Sequence, residues 1–209
     1  NLCGALEFAE KVSKSGTQPI IGTQINFYLE GVVGRLSLFA ISPTGYKNLI
    51  ELSSKSYLDS DEKTDPHCKI NDLKSINQDL IILSGNLYGL FGKLFKLNKL
   101  KQIEESFEIL KSLFDDRFYF EIQRHNDQGE ENFETFIINM SKKYQIPLIA
   151  TQEIFYLTED MHEAHDALIC IGQKNFINET NRIKYNNQHY LKKNQAVIEL
   201  FKDIPEALL

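Results

Sequence analysis

The 209-residue sequence lacks several features that would place it in a special class of protein. No run approaches the roughly 18 consecutive apolar residues of a membrane-spanning helix, which argues against an integral membrane protein. The first residues have neither a basic start nor an apolar core, so no secretory signal peptide is predicted. An initiator methionine is also missing, and we therefore expect the sequence to be an excised part of a longer protein.

Cysteine is scarce, and the 23 lysines and arginines are outnumbered by 29 aspartates and glutamates. The three cysteines, Cys3, Cys68 and Cys170, are odd in number and far apart, and no CxxC or Cys/His finger spacing is present. A disulfide framework and a zinc finger are therefore not predicted, and a reducing cytoplasm is the expected location. The net charge of −6 argues against a broad surface for nucleic-acid phosphates, but it is compatible with a domain that accompanies a nucleic-acid enzyme.

Strand-like and helix-like segments alternate along the chain, and 42% hydrophobic residues suffice for a substantial core. Strands are predicted over residues 19–29, 35–41, 79–85, 118–122 and 147–151. Helices are predicted over residues 2–15, 43–52, 69–77, 97–114, 132–144 and 158–171, with a surface loop over 58–68. This alternation is typical of an α/β fold with a largely parallel sheet, either doubly wound or closed into a barrel. From residue 178 the strand signals end, and helices and loops are expected.

Short motifs indicate where some of these elements begin and end. Glu30-Gly31, together with Gly34, predicts a hairpin-like turn. Ser42-Pro43 is typical of a helix N-cap followed by proline at the first helical position. Thr158 is predicted to cap the helix that follows it.

Nine stretches together resemble one family, in the same order and at its spacing. They read NLCGALEF from residue 1, PIIG from 19, TGYKNL from 44, LSGNL from 83, DRFYFEIQRH from 116, PLIAT from 147, EAHDALICI from 163, HYLK from 189 and ELFKDIPEAL from 199. They are similar to the PHP (polymerase and histidinol phosphatase) domain at the N-terminus of the bacterial replicative DNA polymerase III alpha subunit, a family C polymerase. The resemblance covers nearly the whole chain.

The resemblance implies a distorted seven-stranded (β/α) barrel that is incomplete at its N-terminus. Residues 1–177 would form the PHP barrel, and residues 178–209 would form helices and loops leading toward the polymerase domains. Metal-binding members hold metal ions at the C-terminal ends of the strands, where barrels generally place their sites, and use them to activate water for phosphoester hydrolysis. The family's first ligands, a His-x-His segment and an Asp-His pair, would precede this chain.

At the remaining ligand positions the resemblance implies a degraded metal site. The family's Glu, His, Cys and final His correspond here to Gln24, Arg35, Asn86 and Phe155, and Glu153 replaces an Asp. Amides replace an anion and a thiolate, phenylalanine has no donor atom, and a guanidinium repels cations while offering no lone pair. We therefore predict no bound metal and no catalytic residue. We also hypothesise that Arg35 neutralises Glu153; an Arg35→Ala or Glu153→Ala change without effect on stability would count against this pairing.

The histidines and lysines leave alternatives open. His125 ends a predicted strand, where it is either a residual cleft residue or, with more weight, a structural hydrogen-bonding group. His162 and His165 are one helical turn apart and could chelate a metal, but HEAH is not the HExxH zinc motif, and a capped helix on the barrel rim is favoured. Four lysines precede or begin the long predicted helix, where a solvated helix face is favoured over contact with DNA or a partner: Lys93, Lys96, Lys99 and Lys101.

The function implied by the resemblance is that of a polymerase domain. The parent chain would be a DNA-directed DNA polymerase, a nucleotidyltransferase of DNA replication, with Mg in a separate polymerase domain. The segment itself would be a non-catalytic scaffold without a cofactor, bound to the remaining polymerase domains and to a proofreading exonuclease subunit, and in contact with DNA only through the parent chain. The alternative is a phosphoesterase or 3′→5′ exonuclease that uses a divalent metal such as Zn or Mn with a reduced ligand set. A free-standing histidinol-phosphatase-like enzyme is the least favoured interpretation.

Overall fold

The computed structural model describes residues 2–60 and 64–208. The chain divides into two compact units, which are treated separately below. Unit 1 comprises residues 1–121 and 139–147, and unit 2 comprises residues 122–138 and 148–209. In the part of the chain that is described, no helix has both the length and the apolar character needed to cross a membrane.

In the described part of the chain, six strands form one sheet, which confirms the α/β class. They are β1 (Gly22–Leu29), β2 (Val32–Ala40), β3 (Cys68–Lys69), β4 (Leu80–Leu83), β5 (Phe118–Ile122) and β6 (Leu148–Ala150). Their order is β3-β1-β2-β4-β5-β6, and among the described residues the sheet does not close on itself. The β1–β2 and β2–β4 pairs are antiparallel, whereas β1–β3 and β4–β5 are parallel. The sheet is therefore mixed, and the expectation of a largely parallel sheet was wrong for the two pairs that β2 makes.

Within residues 2–60 and 64–208, seven helices connect and flank the strands. They are α1 (Ala5–Lys14), α2 (Pro43–Leu58), α3 (Leu90–Lys96), α4 (Leu100–Phe114), α5 (Glu130–Tyr144), α6 (His162–Gln173) and α7 (Asn194–Leu200). Short 3-10 helices occupy Ile70–Lys74, Asp115–Arg117, Glu159–Met161 and Pro205–Leu208. The predicted helices are confirmed in place, except that the one expected over residues 69–77 is a 3-10 helix preceded by β3.

The predicted hairpin has a two-residue turn. Leu29 pairs with Val32, and the intervening Glu30 and Gly31 both have positive φ angles, 52° and 82°. Two successive positive φ angles define the type I′ geometry that matches the twist of a hairpin. Gly34, expected to bracket this turn, lies inside β2 instead, where a Cβ atom would come within 2.4 Å of the Leu90 Cα.

The core of unit 1 is built around aromatic rings. The apolar positions of α4 recur at helical spacing and are fully buried: Ile103, Phe107, Leu110 and Phe114. The Phe107 ring meets those of Phe91 and Phe120 edge-on, at centroid distances of 4.8 and 4.6 Å. A buried cluster of this kind holds α3 and α4 on the sheet, because edge-to-face pairs add to the burial of apolar area.

In unit 2 two arginines fix the segments around the sheet edge. Arg124 binds Glu134 of α5, Asp203 and the Leu200 carbonyl at the end of α7, and its guanidinium lies 4.8 Å from the Phe201 ring centroid. Arg182 forms a two-pronged pair with the buried Asp166 of α6, with N–O distances of 2.5 and 2.7 Å. These pairs tie the C-terminal segments to the helices of the same unit.

Several predicted details differ in the structure. Helix α3 was not predicted, and the expected loop over residues 58–68 includes the end of α2 and the first residue of β3, while its residues 61–63 lie outside the described part. Ser42 does cap α2, its hydroxyl accepting from the Thr44 and Gly45 amides. Thr158 precedes a 3-10 turn and makes no side-chain capping bond, so its predicted capping role was wrong.

Candidate functional site

Two of the predicted positions lie together on the hairpin of unit 1. Gln24 and Arg35 alternate with the buried core positions of β1 and β2, which places both on the less buried face. The Arg35 Nη1 donates to the Gln24 Oε1 at 3.2 Å, and the Gln24 Nε2 lies 3.5 Å from the Ser37 hydroxyl. Both ends of this amide are therefore engaged by neighbours on the same strand pair.

Asn86 shapes the turn that leads from β4 into α3. Its side-chain oxygen accepts the Tyr88 amide at 3.0 Å, and its backbone carbonyl accepts the Gly89 amide at 3.0 Å. A side chain that accepts from an amide two residues on is the Asx-turn arrangement typical of asparagine. Asn86 thus has a local structural role at the start of α3.

In unit 2 four rings form one column. The rings of Phe155 and His165 are nearly parallel with centroids 5.2 Å apart, and the Phe155 and His189 centroids are 4.9 Å apart. His189 stacks in turn on His125 at 4.3 Å with an interplanar angle of 6°. The order His165–Phe155–His189–His125 brings two predicted positions, Phe155 and His125, into a single packed cluster.

His125 is buried and its ring nitrogens are both occupied. Its Nε2 accepts the Glu153 amide at 3.2 Å, which requires an unprotonated Nε2, and its Nδ1 lies 3.4 Å from the Glu130 carboxylate. Glu130 also accepts the His125 backbone amide at 2.7 Å, and Asn186 donates to the His125 carbonyl. These contacts favour the structural interpretation of His125, because its metal-binding lone pair is already used.

His189 is the member of this column that sequence reasoning did not select. Its Nδ1 lies 3.0 Å from the Glu153 carbonyl, and its buried Nε2 is 3.7 Å from Asp127 Oδ2, with no partner at hydrogen-bond distance among the described residues. Burial opposes protonation, but the Asp127 carboxylate and the Glu153 carbonyl outweigh it and raise the pKa of His189 above its usual value of 6.5. The motif HYLK contained this residue, but no spacing linked it to His125.

The raised pKa of His189 predicts a pH dependence for the stability of unit 2. Because the folded state binds the proton more tightly than the unfolded chain, the contribution is fully present below pH 6.5 and is lost as the pH rises through the folded-state pKa. Hydrogen exchange of unit 2 amides across this range measures it, with His189→Gln removing the dependence. A His67→Gln control in unit 1 is expected to retain it, and an equal slope in both variants would contradict the assignment to His189.

The paired histidines of α6 do not converge on a common point. The His162 Nε2 lies 2.9 Å from the Tyr185 carbonyl, whereas His165 stacks on Phe155. Burial, with smaller effects from His162 and His189, lowers the pKa of His165. Across residues 2–60 and 64–208, no group of three or more His, Cys, Asp and Glu side chains is arranged to hold a metal ion.

The lysines around α3 mostly contact unit 1 itself. Lys93 and Lys99 donate to the Val33 and Glu30 carbonyls of the hairpin, at 2.8 and 2.6 Å. Lys96 lies over the Tyr88 ring at 4.4 Å, and Lys101 is close to Glu105. These contacts within unit 1 favour a structural role for the four lysines over DNA binding.

Comparison with known proteins gives a consistent result. The model of the PHP domain family matches residues 1–125. DNA polymerase III subunit alpha is 39% identical over the whole chain in Rickettsia bellii, 34% identical over 99% of it in Caulobacter vibrioides, and 33% identical over the whole chain in Vibrio cholerae. The chain spans only 18–19% of the length of these relatives.

Proposed function

The chain belongs to the PHP domain family, and we propose that it serves as a non-catalytic scaffold within a DNA polymerase III alpha subunit. Three relatives in different bacteria carry that name and match the chain along essentially its whole length. The parent protein would then synthesise DNA in the cytoplasm, with its Mg-dependent chemistry in domains outside this segment.

The ring column carries this proposal. Phe155 stands where the family resemblance places a metal-binding histidine, and its ring is stacked between His165 and His189. A phenylalanine that packs between two rings at a ligand position supports a structural role for this site, because aromatic stacking stabilises the folded state.

The other positions offer little to a metal ion. In unit 1 the Gln24 amide is engaged by Arg35, whose permanent charge opposes cations. In unit 2 the His125 Nε2 accepts a backbone amide. These residues do not fit the family's metal cluster. The pairing of Arg35 with Glu153 stays a prediction.

A scaffold role also suits the division of labour in a replicase. A domain that performs no hydrolysis leaves proofreading to a separate subunit, and we propose that it offers such an exonuclease subunit a docking surface. The acidic balance of the segment supports contact with DNA through other parts of the subunit.

One observation favours a second candidate, a phosphoesterase or exonuclease with a reduced ligand set that uses Zn or Mn. The His189 Nε2 is buried, finds no hydrogen-bond partner in the described part of the chain, and lies 3.7 Å from the Asp127 carboxylate. A neutral imidazole beside a carboxylate is a pair that divalent metals accept. Activity would require further ligands from outside these residues.

Metal content separates the two candidates. We expect less than about 0.1 equivalents of zinc, manganese or iron by elemental mass spectrometry, after purification without chelators and with the preceding segment of the polymerase restored. Two or more tightly held metals per chain would overturn the scaffold proposal. A His189→Gln variant is the matched control: loss of a partial metal signal in this variant would identify the reduced ligand set.

A further inference from the structure

Helix α6 exposes an apolar stripe on the side opposite its buried face. Asp166 and Cys170 are buried, whereas Leu168 and Ile171 are 65% and 75% exposed. Ala164, also exposed, lies one turn before Leu168 on the same side of the helix. A surface helix normally turns polar residues outward, so an outward apolar stripe indicates a contact surface.

The residues after the helix extend this apolar character. Phe176 and Ile177 are 74% and 61% exposed. We call Leu168, Ile171, Phe176 and Ile177 the α6 apolar face. Exposing several large apolar side chains on one short segment is unfavourable in water, because burial of each would lower the free energy of the protein.

The frame that carries these side chains is fixed by polar contacts. Arg182 holds Asp166 of α6 and donates to the Ile177 carbonyl at 3.1 Å. The helix ends in a left-handed residue, Lys174, and the Asn175 amide bonds back to the Cys170 carbonyl. The apolar side chains are therefore presented outward by an anchored turn, which favours a preformed interface.

The relatives contain enough further polypeptide to cover this face. More than four-fifths of the length of each matched relative lies outside the matched segment. Helix α6 and residues 194–208 belong to the same unit, so a chain that continues beyond this segment departs from the unit that bears the face.

We propose that the α6 apolar face is covered, in the longer subunit, by an apolar surface of the polypeptide that follows residue 209. This inference rests on the proposed membership of a polymerase subunit. It assigns the four side chains to contact within one chain, which makes them part of the joint between the segment and the polymerase domains.

Cysteine accessibility in the full-length polymerase subunit tests this assignment. Leu168→Cys and Ile171→Cys are made separately in a Cys3→Ser background, because Cys3 is exposed whereas Cys68 and Cys170 are buried. Leu58→Cys is the matched control, since Leu58 is an apolar helix residue of unit 1 that is 81% exposed. Maleimide labelling of each site is followed by peptide mass spectrometry, and each rate is divided by that of the same variant unfolded in guanidinium.

We expect both α6 cysteines in the isolated, dilute subunit to label at least about tenfold more slowly than when unfolded, and more slowly than Leu58→Cys. Labelling at the unfolded rate at both sites would overturn the proposal. Protection that appears only when an exonuclease subunit is added, or only at high subunit concentration, would also overturn it, because the occupant would be a partner or a second copy. Primer extension by the same preparation tests the polymerase assignment independently. If the preparation extends primers but both cysteines label at the unfolded rate, the covered face is rejected and the polymerase assignment stands.

Discussion

Replacing Phe107 with alanine is expected to lower the free energy of unfolding of unit 1 by about 3–5 kcal/mol. The ring is fully buried and contacts Phe91, Phe118 and Phe120, so its removal opens a cavity that the surrounding rings and strands fill only in part. The loss in free energy of unfolding has two parts: the transfer free energy of the buried side chain and the edge-on ring contacts.

Denaturant unfolding followed by hydrogen exchange of α4 and β5 amides measures this effect. The matched control is Ile109→Ala on the same helix, because Ile109 is 37% exposed and its truncation removes little buried area. A loss of stability in Phe107→Ala no larger than in Ile109→Ala would show that the aromatic cluster does not hold unit 1 together.

Replacing Arg124 with alanine is expected to destabilise unit 2 by about 2–3 kcal/mol and to release the C-terminal segment first. Hydrogen bonds that Arg124 donates to the carboxylates of Asp203 and Glu134 raise its pKa, so the guanidinium stays charged at every accessible pH. Its loss leaves the Glu134 carboxylate, which is 13% exposed, without its two-pronged partner. It also removes the cation from the Phe201 ring and the donor from the Leu200 carbonyl.

Two further substitutions test whether the shape of the Arg124 guanidinium matters beyond its positive charge. Arg124→Lys keeps the positive charge but loses the planar fork, and we expect an intermediate loss of stability. Lys202→Ala breaks only the exposed pair with Glu199 and is expected to change stability by less than about 0.5 kcal/mol. Hydrogen exchange of residues 194–208 gives the local readout; protection there that is unchanged in Arg124→Ala would refute the anchoring role.

The elements predicted well are those whose signal is local. The Glu30-Gly31 turn and the helical spacing of apolar residues in α4 depend on neighbours within a few positions. Helix α3 escaped prediction because it has only seven residues, contains a glycine and is apolar on several sides. Strand β3 is two residues long and exists only through its pairing with β1.

For the candidate site as well, some features follow from residue type and others depend on tertiary contacts. Residue types alone indicated that Gln24, Arg35 and Phe155 are poor metal ligands. What these side chains do instead depends on partners: Arg35 reaches Gln24 across a strand pair, and Phe155 stacks on rings from α6 and from residue 189. No periodicity relates those segments.

By itself, the sequence determined the α/β class, the position of the Glu30-Gly31 turn, the main helices and the family resemblance. Each of these depends on residue type or on spacing within one element. The tertiary structure alone decided the mixed strand directions, the ring column around Phe155, the position of the His189 Nε2 beside Asp127 and the outward apolar face of α6. The physical reason is that packing and hydrogen bonding between distant segments depend on how the chain brings them together, and composition and periodicity carry no record of that arrangement.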